Sequence, residues 1–200
     1  MDQEGREKMK TLISNNCIGG CISQSLKIQY NSPTVRLQIS PEQYLKFCTN
    51  LEHYIEHEIT PVEKLSPYHE EICRRLYWGE IPDYPLGLCD DILLCFQHYK
   101  TFKEAAEAWY RRAKRVDYND IGFTFYARDE MYKQQLLEFI DLKLPHTAVF
   151  TENFDIDSPH ARVDLEPRGN FIAKGPNGRS LYEQHFDRDP YMRGEDDFYI

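Results

Sequence analysis

Asn15, Asn16 and Cys17 stand directly after a short apolar run, Thr11-Leu-Ile13, and just before Gly19-Gly20. That order places amides, a thiol and small residues in the turn between a strand and a helix. Glycines there let backbone N–H groups approach an anion, and the helix behind them brings its positive dipole end. Asn15, Asn16, Gly19 and Gly20 are therefore candidates for cradling a phosphate or an array of sugar hydroxyls. The same pattern also describes a tight turn in which asparagines cap the helix and glycines supply positive φ. The dinucleotide fingerprint Gly-x-Gly-x-x-Gly is missing. Cys17 sits where a helix N-terminus favours a thiolate, and an adjacent base would make it a nucleophile. The competing reading is a small buried residue at a turn.

A second polar cluster, Gln97-His98-Tyr99-Lys100, follows the continuous apolar run Ile92-Leu-Leu-Cys-Phe96. His98 is the histidine best placed for general-base work near neutral pH, against the plainer reading of a packed or capping imidazole. Tyr99 and Lys100 beside it are candidate substrate-binding residues. Arg128-Asp129 follows a third run, Ile121-Gly-Phe-Thr-Phe-Tyr126, where a guanidinium suits a diphosphate. Asp129 equally suits the N-cap of a helix beginning near Met131. Thr151-Glu152-Asn153 closes a fourth run, Thr147-Ala-Val-Phe150.

The remaining titratable groups read as structural. His53 and His57 are helical neighbours whose spacing could hold a metal, but Glu52, Glu56 and Glu58 around them describe a solvated polar face, and no metal ligand set is assigned. Asp90-Asp91 precedes a strand, so in a parallel sheet it lies at the opposite edge in a capping or loop role. Asp155-Ile-Asp157 matches the Asp-x-Asp with which many metal-dependent glycosyltransferases hold a cation, a pattern common by chance. Arg111, Arg112, Lys114 and Arg115 end a helix, where cations meet its negative pole.

Local signals outline the elements that position these groups. Residues 21–27 suit a short helix, and Val35-Arg-Leu-Gln-Ile39 alternates like a half-buried strand. Ser40-Pro41 followed by Gln43 starts a helix whose apolar stripe includes Tyr44, Phe47, Cys48, Leu51 and Tyr54. Pro67 begins a helical stretch, and Pro82, Pro85 and Gly87 mark a loop. Thr101 caps the next helix, with Glu104 completing its capping box. Strands alternating with helices imply a mostly parallel open sheet with helices on both faces, a Rossmann-like α/β fold. Its strand ends would gather the four polar clusters on one edge. Residues 1–153 form this domain, and residues 154–200, rich in Asp, Arg, Gly and Pro, form an irregular C-terminal extension.

Composition narrows the classes. The chain has 200 residues with 41% hydrophobic and 14% aromatic content, enough for a sizeable core. Its formal charge of -9 argues against nucleic-acid binding. No stretch approaches the ~20 apolar residues of a membrane span, and the charged N-terminus lacks a signal-peptide core. A cytoplasmic protein follows, with its six cysteines mostly reduced and no zinc-type spacing among them.

The residues now assembled carry a resemblance. Ile13-Ser-Asn-Asn-Cys-Ile-Gly-Gly20 is followed by Asn31-Ser-Pro33, then by Phe47, Asn50-Leu51 and Tyr54. Tyr84-Pro-Leu-Gly-Leu-Cys-Asp-Asp-Ile92 comes next, then His98-Tyr99 ahead of a helix carrying Trp109 and Arg111-Arg112. Arg128-Asp129 and Val149-Phe150-Thr151 complete the pattern, which runs from about residue 10 to about residue 153. It resembles a bacterial family of domains of unknown function often labelled exopolysaccharide biosynthesis proteins. The resemblance implies a cytosolic α/β protein associated with surface or secreted polysaccharide, possessing no settled catalytic residues to carry over. Members often have a Tyr-His pair shortly after the Gly-Gly, where this chain reads Ile22-Ser23-Gln24.

Three function classes follow. The first is a transferase of cell-surface polysaccharide assembly that moves a sugar from a nucleotide donor. Asn15–Gly20 would then cradle phosphate, Arg128 would assist, and His98 would activate the acceptor. The second is acyl transfer or ester hydrolysis on polysaccharide through Cys17 and His98. The third is a non-catalytic carbohydrate-binding or assembly protein. A small-molecule or carbohydrate ligand, with a nucleotide sugar foremost, and polysaccharide-assembly proteins are the expected partners. No cofactor is specified.

Overall fold

The computed structural model describes residues 11–25, 29–151, 154, 156 and 171–174. Strand β1 (Thr11–Ser14) leads into helix α1 (Ile18–Ser25), and after a turn at residues 32–36 come α2 (Pro41–Thr49) and α3 (Leu51–Glu56). Then follow β2 (Ile59–Pro61), α4 (Pro67–Leu76), β3 (Leu86–Cys89), β4 (Ile92–Cys95) and α5 (Phe102–Ala113). The chain continues through β5 (Ile121–Ala127), a 3-10 turn (Glu130–Tyr132), α6 (Lys133–Asp141), β6 (Thr147–Thr151) and β7 (Phe171–Lys174).

Two sheets form from these strands. β1, β5, β6 and β7 pair side by side in that order, every pair parallel. β2, β3 and β4 form a separate antiparallel sheet. The expectation of one mostly parallel sheet therefore needs correcting at β4, whose apolar run belongs to a hairpin. The reason is the two-residue link Asp90-Asp91, which is far too short for the crossover of a dozen or more residues that parallel neighbours need. Asp90 takes a positive φ of 54°, which lets the chain reverse there. Val35–Ile39 also differs from expectation: only Gln38 bridges, antiparallel, to Cys95. Residues 171–174, placed by sequence in an irregular extension, add a fourth strand to the parallel sheet.

One apolar core serves both sheets. Ile13, Phe123 and Phe125 from the parallel sheet join Ile92 and Leu94 from the hairpin, with Tyr44 and Phe47 of α2 between them. Phe125 and Phe139 pack with ring centroids 5.0 Å apart, and Tyr44 stacks on Phe139 at 5.9 Å. Such aromatic pairs add roughly 0.5–1.5 kcal/mol each beyond their burial.

The helix starts follow local chemistry. Ser40 Oγ accepts from Gln43 N with Pro41 at the first helical position, and Thr101 Oγ1 accepts from Glu104 N at 3.2 Å. Both caps are those the sequence announces. Helix α1 departs from its expected start: it opens at Ile18, so Gly19 and Gly20 lie inside it and not in a turn. Gly19 is needed for close packing. A Cβ built there would lie 2.6 Å from Ser14 Cβ, so only glycine lets the helix settle on the end of β1.

Candidate functional site

The carboxyl ends of β1 and β5 meet through Asn15, which is 3% exposed. Its Nδ2 donates to Tyr126 O at 2.9 Å and its Oδ1 accepts from Tyr126 N at 2.8 Å. Both ends of the amide are spent on the neighbouring strand, as in an extra rung of the ladder. Asn16 caps α1 instead, its Oδ1 accepting from Ile18 N at 3.0 Å and from Ser14 Oγ. Ser14 Oγ in turn accepts from Gly19 N at 3.2 Å. The helix N–H groups that sequence assigned to a phosphate are thus engaged by Asn16 and Ser14. No hydrogen bond among the described residues takes up Asn16 Nδ2.

Cys17 follows on the first turn, half-buried, while the other five cysteines are all buried. Its Sγ lies 3.1 Å from His98 Nε2 and 3.2 Å from Gln97 Oε1. The pair arises because the bridge between Gln38 and Cys95, together with Ile39 N donating to Asn15 O, holds the end of β4 against the end of β1. Beyond β4 the chain turns, Gln97 N donating to Cys95 O and Tyr99 N to Phe96 O, and this brings His98 to the thiol. Gln97 is held from behind: its Nε2 donates to Gln38 Oε1 and to Tyr77 Oη, and Tyr77 Oη donates to Gln38 Oε1 at 3.1 Å.

Two features of His98 set its protonation. Burial lowers its pKa below the usual 6.5, and the guanidinium of Arg36 lowers it further. Arg36 itself is buried, in a left-handed backbone conformation with φ 69°. The imidazole is therefore neutral at pH 7 and able to accept the thiol proton. Because the folded value is the lower one, His98 contributes stability above pH 6.5 that is lost as pH falls through it. Nuclear magnetic resonance titration of the His98 ring, assigned by its loss in His98→Asn, is expected to give a midpoint below 6.5. A midpoint above that value would instead signal a resting imidazolium–thiolate pair.

Cys17 opens onto a cleft of about 360 Å³ shared with Asn16, Gln38, Gln97, Tyr126 and Arg128. Asp129 and Tyr132 also line it. Trp78 stands at its rim, 66% exposed, with Arg128 Cζ 3.8 Å from the ring centroid. Arg75, paired with Glu42 at 2.8 Å, also lines the cleft. The volume is that of an ordinary small-molecule site, and the lining mixes amide, aromatic and guanidinium groups.

Of the residues singled out by sequence, Asn15, Asn16, Cys17, Arg128 and Asp129 face this cleft, and His98 meets Cys17. Tyr99 and Lys100 do not join them. Tyr99 Oη accepts from the buried Arg112 Nη1 at 2.7 Å, and Lys100 lines a separate groove with Pro61 and Phe102. Gly19 and Gly20 pack inside α1. Asp129 stands at the N-cap of the 3-10 turn, where its side chain makes no capping hydrogen bond. Glu152, Asn153, Asp155 and Asp157 lie outside the described residues. Sequence reasoning assigned no site role to Trp78, Gln38 or Arg36, and named Gln97 only as part of the polar cluster with His98. Gln97, beside His98 in that cluster, was the signal available in the sequence.

Among the described residues no helix is long and apolar enough to cross a membrane. Comparison with known proteins adds a lineage. A family model described as Domain of unknown function (DUF1919) matches residues 2–158. A protein of Haemophilus influenzae described as uncharacterized is 28% identical over 180 residues, covering 87% of this chain and 80% of that protein.

Proposed function

The chain belongs to the DUF1919 family, a domain of unknown function, and from that premise we propose that its cleft performs acyl transfer or ester hydrolysis through Cys17 and His98. The observation that carries the reading is the 3.1 Å approach of a neutral imidazole to Cys17 Sγ, and Cys17 lines a small-molecule cleft. The thiol proton passes to His98 Nε2 as sulfur attacks the acyl carbonyl carbon and a C–S bond forms. Asn16 Nδ2, in the residue before Cys17, would donate to the developing oxyanion. The C–O bond to the alcohol then breaks, and His98 returns its proton to the leaving oxygen. Water or an acceptor hydroxyl reverses the sequence, releasing the acyl group and restoring the thiol.

The substrate class follows from the rim. An exposed tryptophan stacked on a guanidinium offers a flat face for a sugar ring, and the sequence resemblance points to cell-surface polysaccharide. We therefore read the substrate as an acylated carbohydrate or its activated precursor, handled in the cytoplasm. Arg128 over Trp78 favours a second reading, glycosyl transfer from a nucleotide sugar on a Rossmann-like scaffold. The engagement of the α1 N–H groups by Ser14 and Asn16 weighs toward the thiol chemistry.

The test uses p-nitrophenyl acetate as probe, with acid quench and intact-mass analysis. One acetyl group is expected on Cys17, accompanied by a stoichiometric burst of p-nitrophenolate, and neither in Cys17→Ala. Absence of the Cys17 adduct overturns the proposal. Nucleotide-sugar turnover that survives Cys17→Ala would establish the second reading in its place.

A further inference from the structure

We propose that His53, His57 and Asp90 form a binding site for a divalent transition-metal ion of the zinc class. His53 belongs to α3 and His57 is its C-cap residue, so the four-residue spacing puts both rings on one side. Their ring centroids are 5.2 Å apart. Sequence left this pair as a solvated polar face because Glu52, Glu56 and Glu58 surround it. The third group arrives from the β3–β4 turn, where the left-handed conformation of Asp90 swings its carboxylate toward α3 and brings Oδ2 to 3.0 Å from His53 Nε2.

One donor atom from each residue lies within 4.8 Å of the other two. Two ligands at ~2.0–2.2 Å from one ion are at most about 4.4 Å apart, so a small swing of these side chains closes the site. The swing is available, because the His53 and Asp90 side chains are 41% and 49% exposed. The backbones beneath them are held independently: Tyr54 Oη donates to Asp91 Oδ1 at 3.0 Å, and Lys46 pairs with Asp91. Asp91 thus positions the turn and leaves Asp90 for the ion.

Donor chemistry selects the metal. Two imidazoles and one carboxylate suit zinc, nickel, cobalt or copper, whereas magnesium and calcium prefer all-oxygen sites. The surroundings are acidic: Glu52 and Glu56 adjoin the two histidines in the chain, and Asp91 adjoins Asp90. Three protein ligands leave a fourth position for water. None of the three residues lines the cleft at Cys17. The ion would staple α3 to the β3–β4 hairpin.

Zinc titration of the chelator-stripped full chain, followed by calorimetry, tests this. One ion per chain with micromolar affinity is expected, and magnesium should not compete. His53→Ala and Asp90→Ala, each retaining the wild-type circular dichroism spectrum, should weaken binding at least tenfold, as should His57→Gln. Cobalt substitution should give a spectrum without a thiolate charge-transfer band, which excludes the cysteines. Zinc should raise the melting temperature of the wild type and not that of His53→Ala. No zinc uptake, or uptake undiminished in these variants, overturns the proposal.

Discussion

His98→Asn is expected to slow acylation of Cys17 by roughly 10²–10⁴-fold, the usual contribution of a positioned general base. The thiol has two hydrogen-bond acceptors at nearly equal distance, His98 Nε2 at 3.1 Å and Gln97 Oε1 at 3.2 Å. Only the imidazole can take the proton away. The amide oxygen of Gln97 can only accept a hydrogen bond from the thiol and offers its proton no route away. Loss of the base therefore removes the route to the nucleophile. The effect should fall on kcat with KM nearly unchanged, because His98 is not among the residues that line the cleft. Iodoacetamide gives a second readout: Cys17 should label first, since Cys21, Cys48, Cys73, Cys89 and Cys95 are all buried, and burial pushes the Cys48 and Cys89 thiols up. Labelling of Cys17 as fast in His98→Asn as in wild type would show that the imidazole does not activate the thiol.

Asn15→Leu is expected to cost about 2–6 kcal/mol, the sum of two backbone groups left without partners at about 1–3 kcal/mol each. Leucine matches the amide in size but offers nothing to the N–H and C=O of Tyr126, which Asn15 engages at 2.8 and 2.9 Å. Against a total of about 5–15 kcal/mol for an ordinary domain, that loss brings the chain close to unfolding. Urea denaturation measures it through a lowered midpoint at unchanged slope. Asn15→Asp separates the two bonds. A carboxylate still accepts from Tyr126 N, yet its second oxygen opposes Tyr126 O until it is protonated. Its carboxyl pKa should therefore be raised in the folded state, with stability that is present at low pH and lost as pH rises through that value. Near-wild-type stability of Asn15→Leu would mean that the clamp between β1 and β5 is dispensable.

Much of the scaffold was legible because its signals are local. Ser40-Pro41 and Thr101-Glu104 start helices wherever they occur ahead of an apolar stripe, and they do so here. The runs at residues 11–14, 121–127 and 147–151 are parallel strands, and their carboxyl ends carry Asn15, Arg128 and Thr151 to one edge. The run at 92–95 read the same way and was different, since an apolar strand records its burial and not its partner. Two aspartates after Cys89 were the clue that the chain reverses.

The site divides along the same line. Sequence by itself determined that a thiol, two amides and an arginine would follow apolar strands, and that a histidine would follow another. Only the tertiary structure decided which of them meet. His98 reaches Cys17 across the join of two sheets, Tyr99 turns away to Arg112, and Asn15 becomes a strut where Asn16 remains a donor. The physical reason is that periodicity and capping energies act within a few residues of chain. The distances between Cys17 and His98, or between His53 and Asp90, are set by how a shared core packs, and no local pattern encodes that.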